Sequence, residues 1–157
     1  MSGLTTKNQA GVSGLVGPVV DFQRFTTSAS PGWTKPNGVK VVWIECYGGG
    51  GGGGSGRRSS SAARTGGGGG GGGAMAWACF SAEDLPATLD IIVAATAAGG
   101  AGRTGSNQDG DTGDAGNYSE VHLSGTHAND SAGKVLVKAY GGGGGGGGAH
   151  DTGGTGG

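Results

Sequence analysis

The sequence predicts an all-β fold, a small β-sandwich-like domain combined with polyglycine II helices and essentially without α-helix. Three observations carry this. Glycine, 43 of 157 residues, is gathered into uninterrupted runs at 48–54, 66–73 and 141–148. Each run abuts a segment dense in β-branched or aromatic residues: VKVVWIECY before the first, AMAWACF after the second, KVLVKAY before the third. No segment carries a helical period, and glycine and β-branched residues disfavour helix throughout.

Composition alone points elsewhere. Glycine and proline make up about 30 % of the chain, and Leu, Ile, Val and Phe only about 15 %, values that signal low complexity. The net charge of −1 and the segregation into blocks oppose a chain held open by self-repulsion. Near-neutrality also removes the electrostatic case for nucleic acid or an anionic membrane. The opening residues show no basic segment followed by an apolar run, and no stretch approaches the ~18 apolar residues of a span. The reading is therefore no signal peptide and no membrane insertion. Cys46 and Cys79, both in apolar segments, read as buried free thiols, with a disulfide between them left open.

Taken in order, residues 1–20 read as an arm, either frayed or an attachment segment, and 21–157 as the glycine-rich β domain. A first strand is expected over 19–26 and a turn at Ser30-Pro31-Gly32, with a second turn ending at Gly38. Strands follow at 39–47 and 74–80, then a turn at 83–86 and a strand at 88–94 that partners the one before it. Residues 99–116 read as a Gly/Asp/Asn-rich excursion, before strands at 117–123 and 134–140. The segments ending at Tyr47 and Tyr140 echo one another. One face collects Val42, Ile44 and Cys46 in the first and Val135, Val137 and Ala139 in the second. The opposite face carries Glu45 and Lys138 and is expected to meet solvent or a partner.

Bare glycine is costly to order, so the bland reading of the runs is flexible linker. The sharper one is polyglycine II, three residues per turn at ~3.1 Å rise. Eight residues then span roughly 25 Å, about the length of a seven-residue strand at ~3.3 Å per residue. Strands and runs could thus stack as successive layers. Helices packed side by side would bond laterally through their backbones; an enclosed helix needs glycine everywhere, and a surface one only at every third position.

Further residues carry a resemblance. Phe25-Thr26-Thr27-Ser28 leads to Trp33-Thr34-Lys35-Pro36-Asn37-Gly38 and a strand entering glycines; Phe80-Ser81-Ala82-Glu83-Asp84-Leu85-Pro86-Ala87-Thr88 precedes another β segment; Ala139-Tyr140 exits into glycines. As a set, over about 20–157, these resemble the glycine-rich domain of bacteriophage tail fibre and tail-tip adhesin proteins. The resemblance implies strands combined with polyglycine II, a place in the virion tail, and in some members receptor recognition through loops between the runs. Such domains commonly close with another hydrophobic strand, whereas this chain ends Asp151-Thr152-Gly153-Gly154-Thr155-Gly156-Gly157, which implies either a truncated portion or completion by a neighbouring subunit.

Catalytic signatures are missing. The phosphate-loop Lys after glycine is replaced by Gly54-Ser55-Gly56-Arg57, and no Gly-x-Ser-x-Gly occurs. Asp109, Asp111 and Asp114 resemble half a calcium loop without its closing Glu, and read as a solvated turn. His122, His127 and His150 lack zinc spacing with either Cys. The reading is no enzyme, no cofactor and no metal. Loops at 55–65, 101–116, 124–131 and 149–152 are where function sits on a rigid scaffold. The candidate receptor or partner contacts are Arg57, Arg58, Arg64, Asn107, Asp109, His127, Asn129 and His150, with the arginines suited to an acidic sugar or another subunit. Trp33, Trp43 and Trp77 read as core or subunit interface.

The expected function is a structural component of a bacteriophage tail, fibre or tip, attaching to the host through these loops. Its partners would be other tail subunits, itself as a homotrimer, and a bacterial surface receptor; its location would be the virion, after synthesis in the host cytoplasm. The alternative is a non-viral glycine-rich module binding ice or a repetitive polysaccharide.

Overall fold

The structure, a computed structural model, describes residues 20–60, 64–124, 135–150 and 152–157. All but the last residue of the expected arm lies outside them. Six strands form two antiparallel sheets: β1 (Ala29–Thr34), β2 (Val41–Tyr47), β3 (Met75–Ser81), β4 (Thr88–Ile92), β5 (Ser119–Leu123) and β6 (Val135–Ala139). One sheet is β2–β3, the other runs β1-β4-β5-β6. A 3-10 turn, Ala82–Asp84, is the helical content of the described chain.

The sheets face each other through side chains that alternate along each strand, as period two requires. Ile44 and Cys46 from β2 meet Leu89 and Ile91 from β4, Val121 from β5, and Val137 and Ala139 from β6, with Leu85 at one end. Burying each Leu, Ile or Val contributes on the order of 1.5–3 kcal/mol. Four of the six expected core-face residues of the Tyr-ended segments sit in this cluster. Val42 packs at its edge, and Val135, at the start of β6, is 40 % exposed. Burial raises the Cys46 thiol pKa through desolvation. Cys79 is exposed on the other side of its sheet and both thiols are free, so only Cys46 is the buried thiol the sequence suggested.

Two strand assignments change. No strand forms before Ala29 in the described residues, because Val20 and Phe22 remain exposed with no sheet to join. β1 instead contains Ser30-Pro31-Gly32, the expected turn. It is an edge strand bonded to β4 with an irregularity between Ala29 and Trp33, a place where a proline's missing donor is tolerated. β4 does not partner β3 either: the 82–87 turn carries the chain across to the second sheet, where β4 lies between β1 and β5. Lys35 fixes this crossing, its ammonium donating to Ala82 O at 2.9 Å and Leu85 O at 2.7 Å.

The glycine runs are ordered and lie in line with the strands, not in separate layers. The β2–β3 pairing closes at Tyr47↔Met75. The next bonds are Gly48 N to Ala74 O, Gly51 N to Gly71 O, Gly54 N to Gly68 O and Arg57 N to Thr65 O, at 2.8–2.9 Å. Three residues forward on one segment meet three back on the other, with no slip from the strands. The β5–β6 pair continues likewise through Gly116 N to Gly142 O, Gly113 N to Gly145 O and Gly110 N to Gly148 O. A bond every third residue is the signature of three residues per turn. The lattice is closed by parallel bonds between layers, from Gly142, Gly145 and Gly148 to Gly49 O, Gly52 O and Ser55 O.

This geometry dictates residue type. A Cβ at Gly144 would overlap Gly113 O, at Gly145 Gly68 O, and at Gly147 Gly110 O, so neighbouring backbone crowds the 141–148 run, in which Gly143 alone is exposed. At Gly66, Gly69 and Gly72, on the outer side of the second run, an added Cβ meets nothing within 4 Å. Part of the expected 99–116 excursion, residues 110–116, is itself a lattice member. Its Gly110, Gly113 and Gly116 lie against the first run while Asp, Thr and Ala fill the positions between. Residues 153–157 also join, through Gly154 N to Gly66 O and Gly157 N to Gly69 O. Gly144→Ala is therefore expected to cost about 3 kcal/mol or more, at the upper end for overpacking against atoms that cannot turn aside. Gly69→Ala is expected to be neutral or stabilising by up to about 1 kcal/mol. Urea midpoints of the two variants check the contrast.

Candidate functional site at the loop end of the glycine lattice

Because each strand continues into a glycine segment, the connections fall at two ends. The strand end holds the 35–40 and 82–87 turns. The lattice end gathers residues 55–60, 64–65, 101–109, 149–150 and 152, which come from three of the four segments expected to carry function, 55–65, 101–116 and 149–152. The lattice ties them together. Arg58 and Gln108 exchange backbone hydrogen bonds at 3.0 Å in both directions, and Thr65 Oγ1 donates to Ala149 O at 2.6 Å.

Side chains complete the arrangement. Arg57, its side chain only 7 % exposed, forms an ion pair with Asp109, while its Nε is buried with no hydrogen-bond partner. Arg103 pairs with Asp111 and donates from Nε to Asp109 O at 2.6 Å. Asn107, at φ 59° in the left-handed region that Asn tolerates, accepts from Ser59 Oγ at 3.1 Å. Arg64 Nε donates to Ser59 O at 3.2 Å, and Arg58 Nη1 to Arg103 O at 3.5 Å. Neither Arg58 nor Arg64 meets a carboxylate among the described residues. An open cleft of about 500 Å³ lies between them, lined by Arg57, Arg58, Ser59, Ser60, Arg64, Arg103 and Ser106.

Of the eight residues singled out from sequence, Arg57, Arg58, Arg64, Asn107 and Asp109 converge here. His150 is exposed beside Ala149 at the same end, and His127 and Asn129 lie outside the described residues. Arg103 and Asp111 were missed. The Asp109–Asp114 segment is solvated, as expected, but it is not a turn: it runs along the lattice, and Asp109 and Asp111 pair with arginines. Among the described residues no group of three His, Cys, Asp or Glu is placed to hold a metal.

The comparison with known proteins agrees with this architecture. A model of the glycine-rich domain matches residues 26–157, a span holding every strand and every glycine segment. The chain belongs to the glycine-rich domain family. No curated protein matches it.

Two further features of this glycine-rich domain bear on function. The outer face of β2–β3 exposes Val41, Trp43, Tyr47, Met75 and Trp77. The indoles of Trp43 and Trp77 stack with centroids 4.4 Å apart and planes 10° off parallel. Glu45 braces the face, accepting from Trp43 Nε1 at 2.9 Å and Tyr47 OH at 3.0 Å, and its hydrogen bond raises the Tyr47 pKa. Trp33 packs against the core, but Trp43 and Trp77 are not core residues.

The second feature is a buried charged row across β4–β6. Asp90 and Glu120 flank His122, Glu120 Oε1 being 3.3 Å from His122 Nδ1. Lys138 Nζ lies 2.9 Å from Glu120 Oε2 and 3.6 Å from the Tyr118 ring centroid. Lys138 therefore does not simply meet solvent, as its position opposite the core face suggested. The hydrogen bond to Glu120 is the chief cause raising the Lys138 pKa, against desolvation. A raised folded-state lysine pKa means that, while Glu120 is ionised, the ammonium's contribution is fully present below the ordinary lysine value and is lost as pH climbs through the raised one. Among the described residues no hydroxyl is hydrogen-bonded to His122; Ser124 donates instead to Asp90, at 3.0 Å. Lys138→Met leaves Glu120, 1 % exposed, as a buried carboxylate without its cation. The expected loss is about 3 kcal/mol, within the range for breaking a buried pair, measured by urea unfolding at neutral pH.

Proposed function

We propose that this glycine-rich domain is a non-enzymatic structural component of a bacteriophage tail, a fibre or tip protein that contacts the host through the loop end of its lattice. The observation that carries the reading is the unbroken continuation of strands into polyglycine helices. A stiff body ending in three co-located loops suits a part that must present a surface at a fixed place. Loops on rigid scaffolds hold binding residues with little ordering cost, and here the loops are bonded to one another at their bases. The resemblance of the Trp33–Gly38, Phe80–Thr88 and Ala139–Tyr140 stretches to tail fibre and tip proteins supplies the viral setting.

The aromatic face of β2–β3 supports attachment to other tail subunits, including copies of this chain as a homotrimer. Three of its five large residues are aromatic, of a kind that each bury ~150–250 Å². They stand 55–60 % exposed, so roughly half of that area is open to a partner, as the centre of an interface whose standard size is ~800 Å² per partner. Antibody raised against the chain and applied as a gold label to phage particles tests the proposal. Gold at the tail is the expected result. Label on cells or secreted material, with particles unlabelled, would overturn the viral reading.

A further inference from the structure

We infer that the arginine cleft at the loop end is a binding site for an oxyanion, a phosphate or carboxylate group carried on a saccharide. Four guanidinium groups, Arg57, Arg58, Arg64 and Arg103, line one open cleft, and two carboxylates answer them, Asp109 on Arg57 and Asp111 on Arg103. The described site is therefore left with two positive charges in excess, in a chain whose net charge is −1. That excess is local, not a reflection of a basic protein.

The donors are also under-used. A guanidinium carries five N–H groups in a fixed fork suited to bidentate capture of carboxylate or phosphate. Arg57 is more than nine-tenths buried, yet its Nε has no partner, and a buried donor left unmade is costly. Arg58 and Arg64 spend their described side-chain bonds on backbone carbonyls. Ser60 and Ser106 add hydroxyls at the rim. A bound oxyanion would supply acceptors to the exposed Arg58 and Arg64, beside the fixed charge of buried Arg57, and neutralise the excess charge, through the short, strong bonds that ionised partners make.

The cleft is built before any ligand arrives. Its walls hang from lattice bonds at Arg57 N, Arg58 N and Gln108 N, so little conformational freedom remains to be lost on binding. A volume of about 500 Å³ has room for one charged sugar and not merely a bare ion. That the saccharide belongs to a bacterial surface rests on the tail reading; that the cleft takes an oxyanion does not.

The test is titration of the full chain, followed by NMR amide shifts and calorimetry, with inorganic phosphate, glucose 6-phosphate, glucuronate and neutral glucose. Saturable binding of the three anions, shifts centred on 57–60 and 103–109, and no response to glucose are expected. Arg58→Gln and Arg64→Gln, both at exposed positions and expected to leave the unfolding midpoint unchanged, should each weaken binding about tenfold, a loss typical of one charge-assisted contact. No saturable binding of any anion, or binding that both variants leave intact, would overturn the site. Anion binding in the tube, combined with failure of acidic bacterial polysaccharides to bind the same cleft, would uphold the site and count against its role in host attachment.

Discussion

Backbone groups that bond sideways between glycine helices are the interaction on which the rest of this molecule depends. Segments bonded this way, as Gly54 N is to Gly68 O at 2.8 Å, are also flanked by further segments, so that a Cβ on Gly54 would strike Gly146 O and one on Gly68 would strike Thr155 O. Glycine makes this packing possible at the cost of more conformational entropy than any other residue loses. The runs have no side chains to offset that cost, so lateral hydrogen bonds and close backbone packing must do it together. The strands supply the nucleus. β2 and β3 set a register through seven consecutive cross-strand pairs, and the lattice inherits it, each glycine segment entering already aligned with its partner.

The same constraint explains where chemistry is found. A lattice of bare backbone offers no functional groups along its length, so side chains able to recognise anything collect at its ends and on its outer sheet face. At the loop end, Arg57 and Asp109 come from connections 52 residues apart in sequence and meet because the 48–58 and 108–117 segments lie side by side. At the strand end, the exposed Trp43–Trp77 stack stands on the outer side of the layer whose inner side carries Ile44 and Cys46. One layer thus serves core packing, lattice bonding and surface display.

Much of this is legible in the sequence, for identifiable reasons. Val41–Tyr47 and Val135–Ala139 announce themselves through β-branched residues alternating with partners of opposite character. The three long runs announce ordered polyglycine because they abut such strands. The failures are equally specific. Gly110, Gly113 and Gly116 occupy every third position, the pattern a helix with one enclosed side requires, but Asp and Thr between them mask it as a loop. Ser30-Pro31-Gly32 has turn chemistry, and only its place at a sheet edge, a property of the whole fold, makes it part of β1. In the loop-end site, clustered arginines at 57, 58 and 64 are visible in the text. The Arg103–Asp111 pair is visible only in hindsight, as the one cation within an acidic, glycine-rich stretch, and the convergence of the loops follows from register no local pattern encodes.

Lateral bonds repeat every third residue along the glycine segments, and residue-resolved amide hydrogen exchange by NMR measures that repeat directly. Protection approaching that of β2 and β3 is expected at Gly51, Gly54, Gly68, Gly71, Gly113, Gly142 and Gly145, whose amides donate between segments. Exchange should be much faster at Gly69 and Gly72, on the open side of the second run. Uniformly fast exchange through 48–54, 66–73 and 141–148, with protection confined to the strands, would contradict the lattice and reduce the glycine runs to tethers on a small β sandwich.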